Sequence, residues 1–506
     1  MPLKKYIYFF IFLLSGMYSC KKSYLDLNPH DQLSEGTFWK TPNDAQLGLT
    51  GCYHALTSSY FSMNNFPAWD ALSDNAWAYN NTLNARTAMT QPLNSQTGGM
   101  VTDFYTNSYA QIAVFNYFLD NVGNVDAPAT DISEWRAEAL FLRSYFYFYL
   151  TEFYGDVPLV LHSYSLSDTL LLKSPQATVL DQVGKDLDTA ISNLPDQAYT
   201  DGHVVRATAQ FLKARTDLYS QQYQAAADLC NTIMQSGHFS LYPDYYNMFV
   251  NAGQGVDNTE ILFSVRYLAP NFLNNSAQMY GWWMGILPFQ NLVDEYEMTD
   301  GQPISSSSLY DPTHPYANRD PRLTATIMVP GSAYGFPDQS QQNWSDRIQY
   351  ITPPLQYNLR KYVDSTITTA LWDKCDNDIL LMRYADVLLT YAESRNEATG
   401  PDQGVYDDIN QVRDRVNMPA LPTGLSQDDM RTRIRHERRV EFAFEGQRWL
   451  DLKRWGQLSA RINSITTDQS PVSYIFQPNN DLWPFPQSEI DYYHAHKLEL
   501  GQNTGY

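Results

Sequence analysis

Residues 434–456, IRHERRVEFAFEGQRWLDLKRWG, decide how the chain is read, because a helical pattern there carries charge on faces that ought to be packed. Val440, Phe442, Ala443, Phe444, Trp449, Leu450, Leu452 and Trp455 spread around most of a 3.6-residue wheel, so the segment is expected to be a helix enclosed on several sides. Glu437, Glu441 and Glu445 follow one another at i,i+4, Arg448 and Asp451 at i,i+3, with Arg438, Arg439 and Arg454 close by. Carboxylates and guanidinia are therefore expected to pair along one rod. Gly446 marks a close approach or a kink. Two chemical readings compete. Paired carboxylates could be the acid and base of a glycan hydrolase, whereas ion-paired carboxylates would hold neighbouring helices in register, since a buried charge must be paired. The arginine spacing favours the second. His436-Glu437 begins like a zinc-protease motif, but the second His would have to stand where the chain has Val440.

The rest of the composition narrows the function classes. The 506 residues carry 34 basic and 55 acidic side chains, a net charge of -21. That balance argues against a nucleic-acid partner, which needs concentrated Lys and Arg. Aromatics are plentiful, with 37 Tyr, 24 Phe and 11 Trp. Such side chains offer an apolar face and a polar handle, suited to helix packing and to stacking on sugar rings alike. At the start, Lys4 and Lys5 precede an apolar run over 6–14, and Ser15, Gly16 and Ser19 lead to Cys20. This is the layout of an export signal over 1–19 with lipidation at Cys20. The run is too short to span a bilayer, which takes about 20 apolar residues, so the mature chain is expected to be anchored to a membrane and otherwise soluble. Cys52, Cys230 and Cys375 are widely spaced; one disulfide is possible, and small buried thiols are the favoured reading. No cofactor or metal motif is found, and His494 and His496 read as solvated tail residues without a third ligand.

Helices are expected over 41–56, 109–122, 134–153 (with Ser133 as cap), 175–194, 207–219 and 223–236, then 379–398 and 405–416. The pair 207–219 and 223–236 looks like a tetratricopeptide unit, with Ala214, Ala226 and Cys230 allowing close approach. Asp217 stands where that repeat places an aromatic, and no 34-residue period runs through the chain, so scattered, degenerate repeats are expected. Two stretches lack helical periodicity and read as loop insertions, about 58–107 and 242–377, the second with short extended pieces such as 260–267. From 470 the chain is Pro-rich and expected to wrap, extended, over the helices.

Several segments together resemble the SusD/RagB family of outer-membrane nutrient-binding lipoproteins: Cys20 followed by SYLDLNP (23–29), EWRAEALFLRSYFYFYL (134–150) running into FYGDVPLV (153–160), RDPRL (319–323), LLMRYADVLLTYAESRNEA (380–398), INQVRDRV (409–416), the opening stretch, WPFP (483–486) and QNTGY (502–506). They fall in the family's order along essentially the whole mature chain, read as a single domain over 20–506. The resemblance implies an all-α, tetratricopeptide-like scaffold with long irregular loops and little β structure. It also implies a location at the outer membrane facing the exterior, and partnership with a SusC-like TonB-dependent transporter that receives the captured ligand. No catalytic residue is implied.

The family motifs do not mark ligand residues, so these are chosen from chemistry. Sugar capture needs flat aromatic faces beside amides or carboxylates. Trp69, Asp70, Trp77, Tyr79, Asn80 and Asn81 offer that mixture in the first long loop, and Tyr280, Trp282 and Trp283, flanked by Asn274, Asn275 and Gln278, in the second. If that second stretch is extended, adjacent side chains point oppositely and only one of Trp282 and Trp283 can face a ligand. Trp77, Tyr79, Asn80, Asn81, Tyr280 and Trp282 are the candidate ligand-binding residues. The expected function is non-catalytic capture of oligosaccharides for delivery to the transporter. Peptide capture of the RagB type, a glycan hydrolase and a plain protein scaffold are the alternatives.

Overall fold

The computed structural model describes residues 38–165, 168–333, 338 and 344–506. The expected signal over 1–19, Cys20 and the 23–29 segment lie outside the described residues. The first helix, α1 (Pro42–Thr57), starts on a reciprocal cap: the Thr41 backbone N–H donates to Asp44 Oδ2 at 2.8 Å and the Asp44 N–H donates to Thr41 Oγ1 at 3.4 Å. Pro42 in the first turn loses no hydrogen bond there.

Apolar periodicity brings in α2 (Met100–Asn121), α3 (Ala129–Tyr154), α4 (Gln176–Asn193), α5 (Arg206–Tyr219), α6 (Tyr223–Ser236), α7 (Tyr384–Thr399) and α8 (Gln403–Asp414). Two of these begin earlier than their sequence suggested. Helix α2 takes up the last residues of the first expected loop, while α3 starts after Pro128 and leaves Ser133 inside the helix rather than capping it. From Ala137 to Tyr154 every side chain of α3 is buried, which is why its hydrophobic pattern shows no wet face. Gly155 ends it at φ +71, a conformation that favours glycine.

The helices α3 to α8 pack in sequence, each on the next: α3 on α4, α4 on α5, α5 on α6, α6 on α7 and α7 on α8. The repeat units are thus consecutive in space although more than a hundred residues separate α6 from α7 in sequence. Ala214, Ala226 and Cys230 are all fully buried at the α5–α6 contact, as small residues there should be. The expectation of scattered repeats gives way to three stacked pairs, interrupted by one excursion of the chain.

That excursion is bracketed by a strand pair. In chain order the longer strands are β1 (Ala76–Ala78), β2 (Ile261–Val265), β3 (Ile286–Pro288) and β4 (Ile379–Arg383). β2 runs antiparallel to β4, with Val265 opposite Ile379, and β4 leads directly into α7. β1 pairs with β3 and so ties the first long loop to the second. Two further ladders of two residues per strand join 157–158 to 173–174 and 327–328 to 358–359. Sheet content is small and the fold is mostly helical, as expected. The first long loop is more ordered than its sequence suggested, holding a 3-10 turn over Phe66–Leu72, β1, and a short helix over Ala85–Thr90.

The segment 434–456 is not one rod. Helix α9 (Gln427–Glu441) stops, the chain turns over 442–447, and α10 (Arg448–Arg454) follows. Phe444 and Gly446 both have positive φ, +66 and +68. A Cβ on Gly446 would lie 2.7 Å from the Phe66 ring. The buried Asp70 carboxylate clamps the turn, accepting from the N–H groups of Phe444 (3.1 Å) and Gly446 (3.3 Å) and from Asn75 Nδ2 (2.7 Å). Burial pushes the Asp70 carboxyl up to about 6 against the pull of those bonds.

The ion pairs are likewise made between elements rather than along one helix. Glu437 accepts from Arg322 (2.6 Å) and Arg413 (2.9 Å). Glu441 accepts from Arg322 (2.9 Å), Arg383 (2.6 Å) and Arg415 (2.6 Å). Glu445 binds Arg383 (2.7 Å) and Lys361 (2.9 Å). Only Arg454 with Asp451 keeps the i,i+3 form. All three glutamates are at most 3% exposed, so the network joins α9 to β4, to the 319–323 segment and to α8 through the interior.

The tail closes the core. Trp483 stacks on Phe153 of α3 at 4.1 Å and 12°, and its backbone N–H donates to the Phe153 carbonyl. The tail is not wholly extended, since Gln487–Ala495 is a helix. Cys52, Cys230 and Cys375 are free and buried, which answers the open question of a disulfide.

Candidate functional site

The β1–β3 ladder sets the site. It places the middle of the first long loop beside residues 277–285 of the second, and the Tyr79 N–H donates to the Gly285 carbonyl at 3.2 Å. Asn80 Nδ2 donates to the Trp283 carbonyl at 2.9 Å, and Tyr79 Oη donates to the Tyr350 carbonyl at 2.9 Å. Residues that the sequence separates by about two hundred positions therefore share one surface.

The candidates divide by burial. Trp77 is 4% exposed, with Tyr474 on one side and the Arg86 guanidinium 5.9 Å from its ring. Tyr280 is 0% exposed and donates its hydroxyl to the Met63 carbonyl at 2.9 Å. Both are core residues, as are Trp69, Asp70 and Asn274, and they offer no face to a ligand. Their residue types suited a sugar equally well, and only the fold distinguishes the uses. Asn81, in the left-handed region at φ 52, spends its amide on the loop itself: it donates to Asn84 Oδ1 and Thr87 Oγ1 and accepts from the Thr87 N–H.

Tyr79, Asn80 and Trp282 stay at the surface, Asn80 exposed and the other two half-buried. Residues 277–282 form a π-helical turn, so the alternation argued for an extended strand does not hold and both tryptophans reach the surface. Trp283 is 45% exposed and Trp282 half-buried, its ring 4.8 Å from that of Trp372. The Arg347 guanidinium covers the Trp282 ring at 4.2 Å, donates to the Trp282 carbonyl at 3.2 Å and lies 5.6 Å from the ring of Tyr350, which is 53% exposed. Arg347, Tyr350 and Trp372 had no motif to single them out; an aromatic pair spaced across one irregular stretch was the sole signal.

The resulting surface is a shelf of aromatic faces, two of them wet, with an exposed amide at one edge and a buried guanidinium fixing the ring angles. The glutamates of 434–456 are elsewhere and saturated with cations. Burial alone would raise the Glu441 carboxyl, yet Arg415, Arg383 and Arg322 hold it well below the usual range. A group so held does not donate a proton at neutral pH. Among the described residues no cluster of three His, Cys, Asp or Glu could hold a metal ion. His494 bonds Glu499 and His496 the Tyr492 carbonyl.

Comparison with known proteins agrees with this architecture. The chain is similar to SusD-like protein P2 of Formosa agariphila, 25% identical across 89% of this chain and 91% of that one. It is 24% identical to the starch-binding protein SusD of Bacteroides thetaiotaomicron across 98% and 97% of the two chains. The crystal structure of a SusD-like carbohydrate-binding protein from Bacteroides fragilis superposes with a TM-score of 0.81 at 26% identity, covering 90% of this chain and 99% of that one. The model described as "starch-binding associating with outer membrane" matches residues 23–215. Because the model of the SusD family matches residues 248–506, which include most of the second long loop, β4 and all of 434–456, the chain belongs to the SusD family.

Proposed function

We propose that this protein is a non-catalytic, outer-membrane glycan-binding lipoprotein, anchored through Cys20 with its ligand surface to the exterior, which captures oligosaccharides and hands them to a SusC-like TonB-dependent transporter. The observation that carries the reading is the aromatic shelf of Trp283, Tyr350, Trp282 and Trp372 with Tyr79 and Asn80 at its edge. Pyranose rings present C–H faces that pack on such rings, while their hydroxyls take amide partners. Exposed tryptophan is costly to leave in water, at roughly 25 cal/mol per Å² of apolar surface, and a ligand that covers it recovers that cost. The relatives support the same reading, since proteins named for starch and carbohydrate binding share the fold.

The test is calorimetric titration against panels of neutral oligosaccharides and peptides, with chromatography of the recovered ligand. Binding of an unaltered oligosaccharide is expected, and Trp283→Ala should weaken it about tenfold or more with an unchanged melting curve. Turnover would make the protein an enzyme, and tighter binding of peptides would replace the glycan.

A further inference from the structure

A second cleft, of about 550 Å³, opens between α9, residues 294–297 and the end of α10. Its walls carry Arg433, Arg435, His436, Arg439, Arg448 and Arg461, in a chain whose net charge is -21. The carboxylates facing them are Asp294, Glu295, Glu297 and Asp429, with Asp74 behind Arg439 and Arg448. Most of these cations are spoken for. Arg433 binds Glu297 at 2.9 Å, Arg439 binds Glu295 at 2.5 Å and Asp74 at 3.3 Å, and Arg448 binds Asp74 at 2.7 Å. Asp294 accepts from Gln290 and Asp429 from Ser426.

Two guanidinia are left over. Arg435 and Arg461 make no ion pair with any described residue. The Arg435 guanidinium lies 4.9 Å from the Trp455 ring, and its Nε is buried without an acceptor. Arg461 is exposed at the mouth. The crowding of guanidinia is felt inside as well: burial disfavours the charged form of Arg439, Asp74 and Glu295 oppose that, and Arg448 and Arg461 add to it by repulsion. A cleft of this volume is in the range that takes small molecules. A buried guanidinium donor without an acceptor is costly, and an anionic oxygen removes the cost.

We infer that this cleft is a second ligand site, taking the carboxylate or sulfate group of an acidic sugar, with Arg435 and Arg461 donating to the anion. That the anion is carried on a sugar rests on the glycan reading above; the anion site itself does not.

Titration of the full chain with trigalacturonate, inorganic sulfate, tetraglutamate and neutral maltotriose tests it, using wild type, Arg435→Gln, Arg461→Gln and Trp283→Ala. Both arginines are outside the ion-pair network, so melting curves should be unchanged. Trigalacturonate should bind, compete with sulfate, weaken as salt rises and lose about tenfold or more in each arginine variant. Maltotriose should respond to Trp283→Ala and not to the arginine variants. Absence of binding by trigalacturonate and sulfate alike, or anion binding unchanged in both arginine variants, overturns the inference. Sulfate binding without trigalacturonate, or tighter binding of tetraglutamate, overturns the sugar assignment. Trp283→Ala without effect on any glycan, while the arginine effect persists, would instead defeat the shelf and leave the cleft standing.

Discussion

Replacing Glu441 by Gln removes one charge from the centre of the interior network and tests whether that network is a net support. The side chain is fully buried and sits among three guanidinia, those of Arg322, Arg383 and Arg415. Gln keeps the shape but offers a single acceptor oxygen and an amide that would point donors at donors. Breaking a buried pair by removing one partner costs about 3–5 kcal/mol, because the remaining charge is left uncompensated. Glu441→Gln should therefore lose about 3–5 kcal/mol in urea unfolding followed by tryptophan fluorescence at pH 7. The double variant Glu441→Gln/Arg415→Gln restores the local charge balance and should cost less than the sum of the singles. The pH dependence has a definite sign. The folded carboxyl lies well below its unfolded value, so its contribution is present above the unfolded pKa of about 4.3 and fades as pH falls toward the folded one. The gap between wild type and Glu441→Gln should shrink on acidification. A loss under about 1 kcal/mol at pH 7, or a double variant whose cost equals the sum, would refute the idea of an interdependent network.

Two other perturbations probe the frame more locally. Gly446→Ala puts a Cβ against the Phe66 ring at a positive φ, and the left-handed strain with the overpacking should cost about 2–4 kcal/mol by the same unfolding assay; an unchanged midpoint would mean the turn relaxes freely. His203 donates to the buried Glu138 carboxylate at 2.8 Å, and that bond raises its pKa against the opposing effect of burial. Its imidazole should titrate by NMR above the ordinary value of about 6.5, returning toward it in Glu138→Gln. The stability it adds is full below the unfolded pKa and is lost as pH rises through the folded one.

How far the sequence could be read depended on the range of the interaction. Helix existence followed from periodicity, and the small residues Ala214, Ala226 and Cys230 marked a true close contact. Register between helices in space was invisible, because nothing in the α6 or α7 sequences says that they touch. The charges of 434–456 revealed that they were buried and paired, but spacing along the chain proposed intrahelical partners, whereas all three glutamates take theirs from other elements, Glu437 and Glu441 sharing Arg322 and Glu441 and Glu445 sharing Arg383. At the proposed ligand surface, Asn80 is exposed and Tyr79 and Trp282 are half-buried, whereas Trp77 and Tyr280 are core. Alternation cannot decide that when a three-residue strand and a π-helical turn set the directions.

The β2–β4 pair has a further meaning for how this molecule can change. Val265 and Ile379 face each other across a ladder, where paired Cα atoms lie about 4.5–5.5 Å apart. The chain therefore leaves and re-enters the helical stack through one narrow gate, and the half of the shelf made by Trp282, Trp283, Tyr350 and Trp372 is suspended beyond it. Lengthening or rewriting a loop that is already pinned at both ends adds little closure entropy, about 0.6 kcal/mol per doubling. The shelf is in that sense a cassette, whose side chains can be exchanged while the stacked helices keep their places.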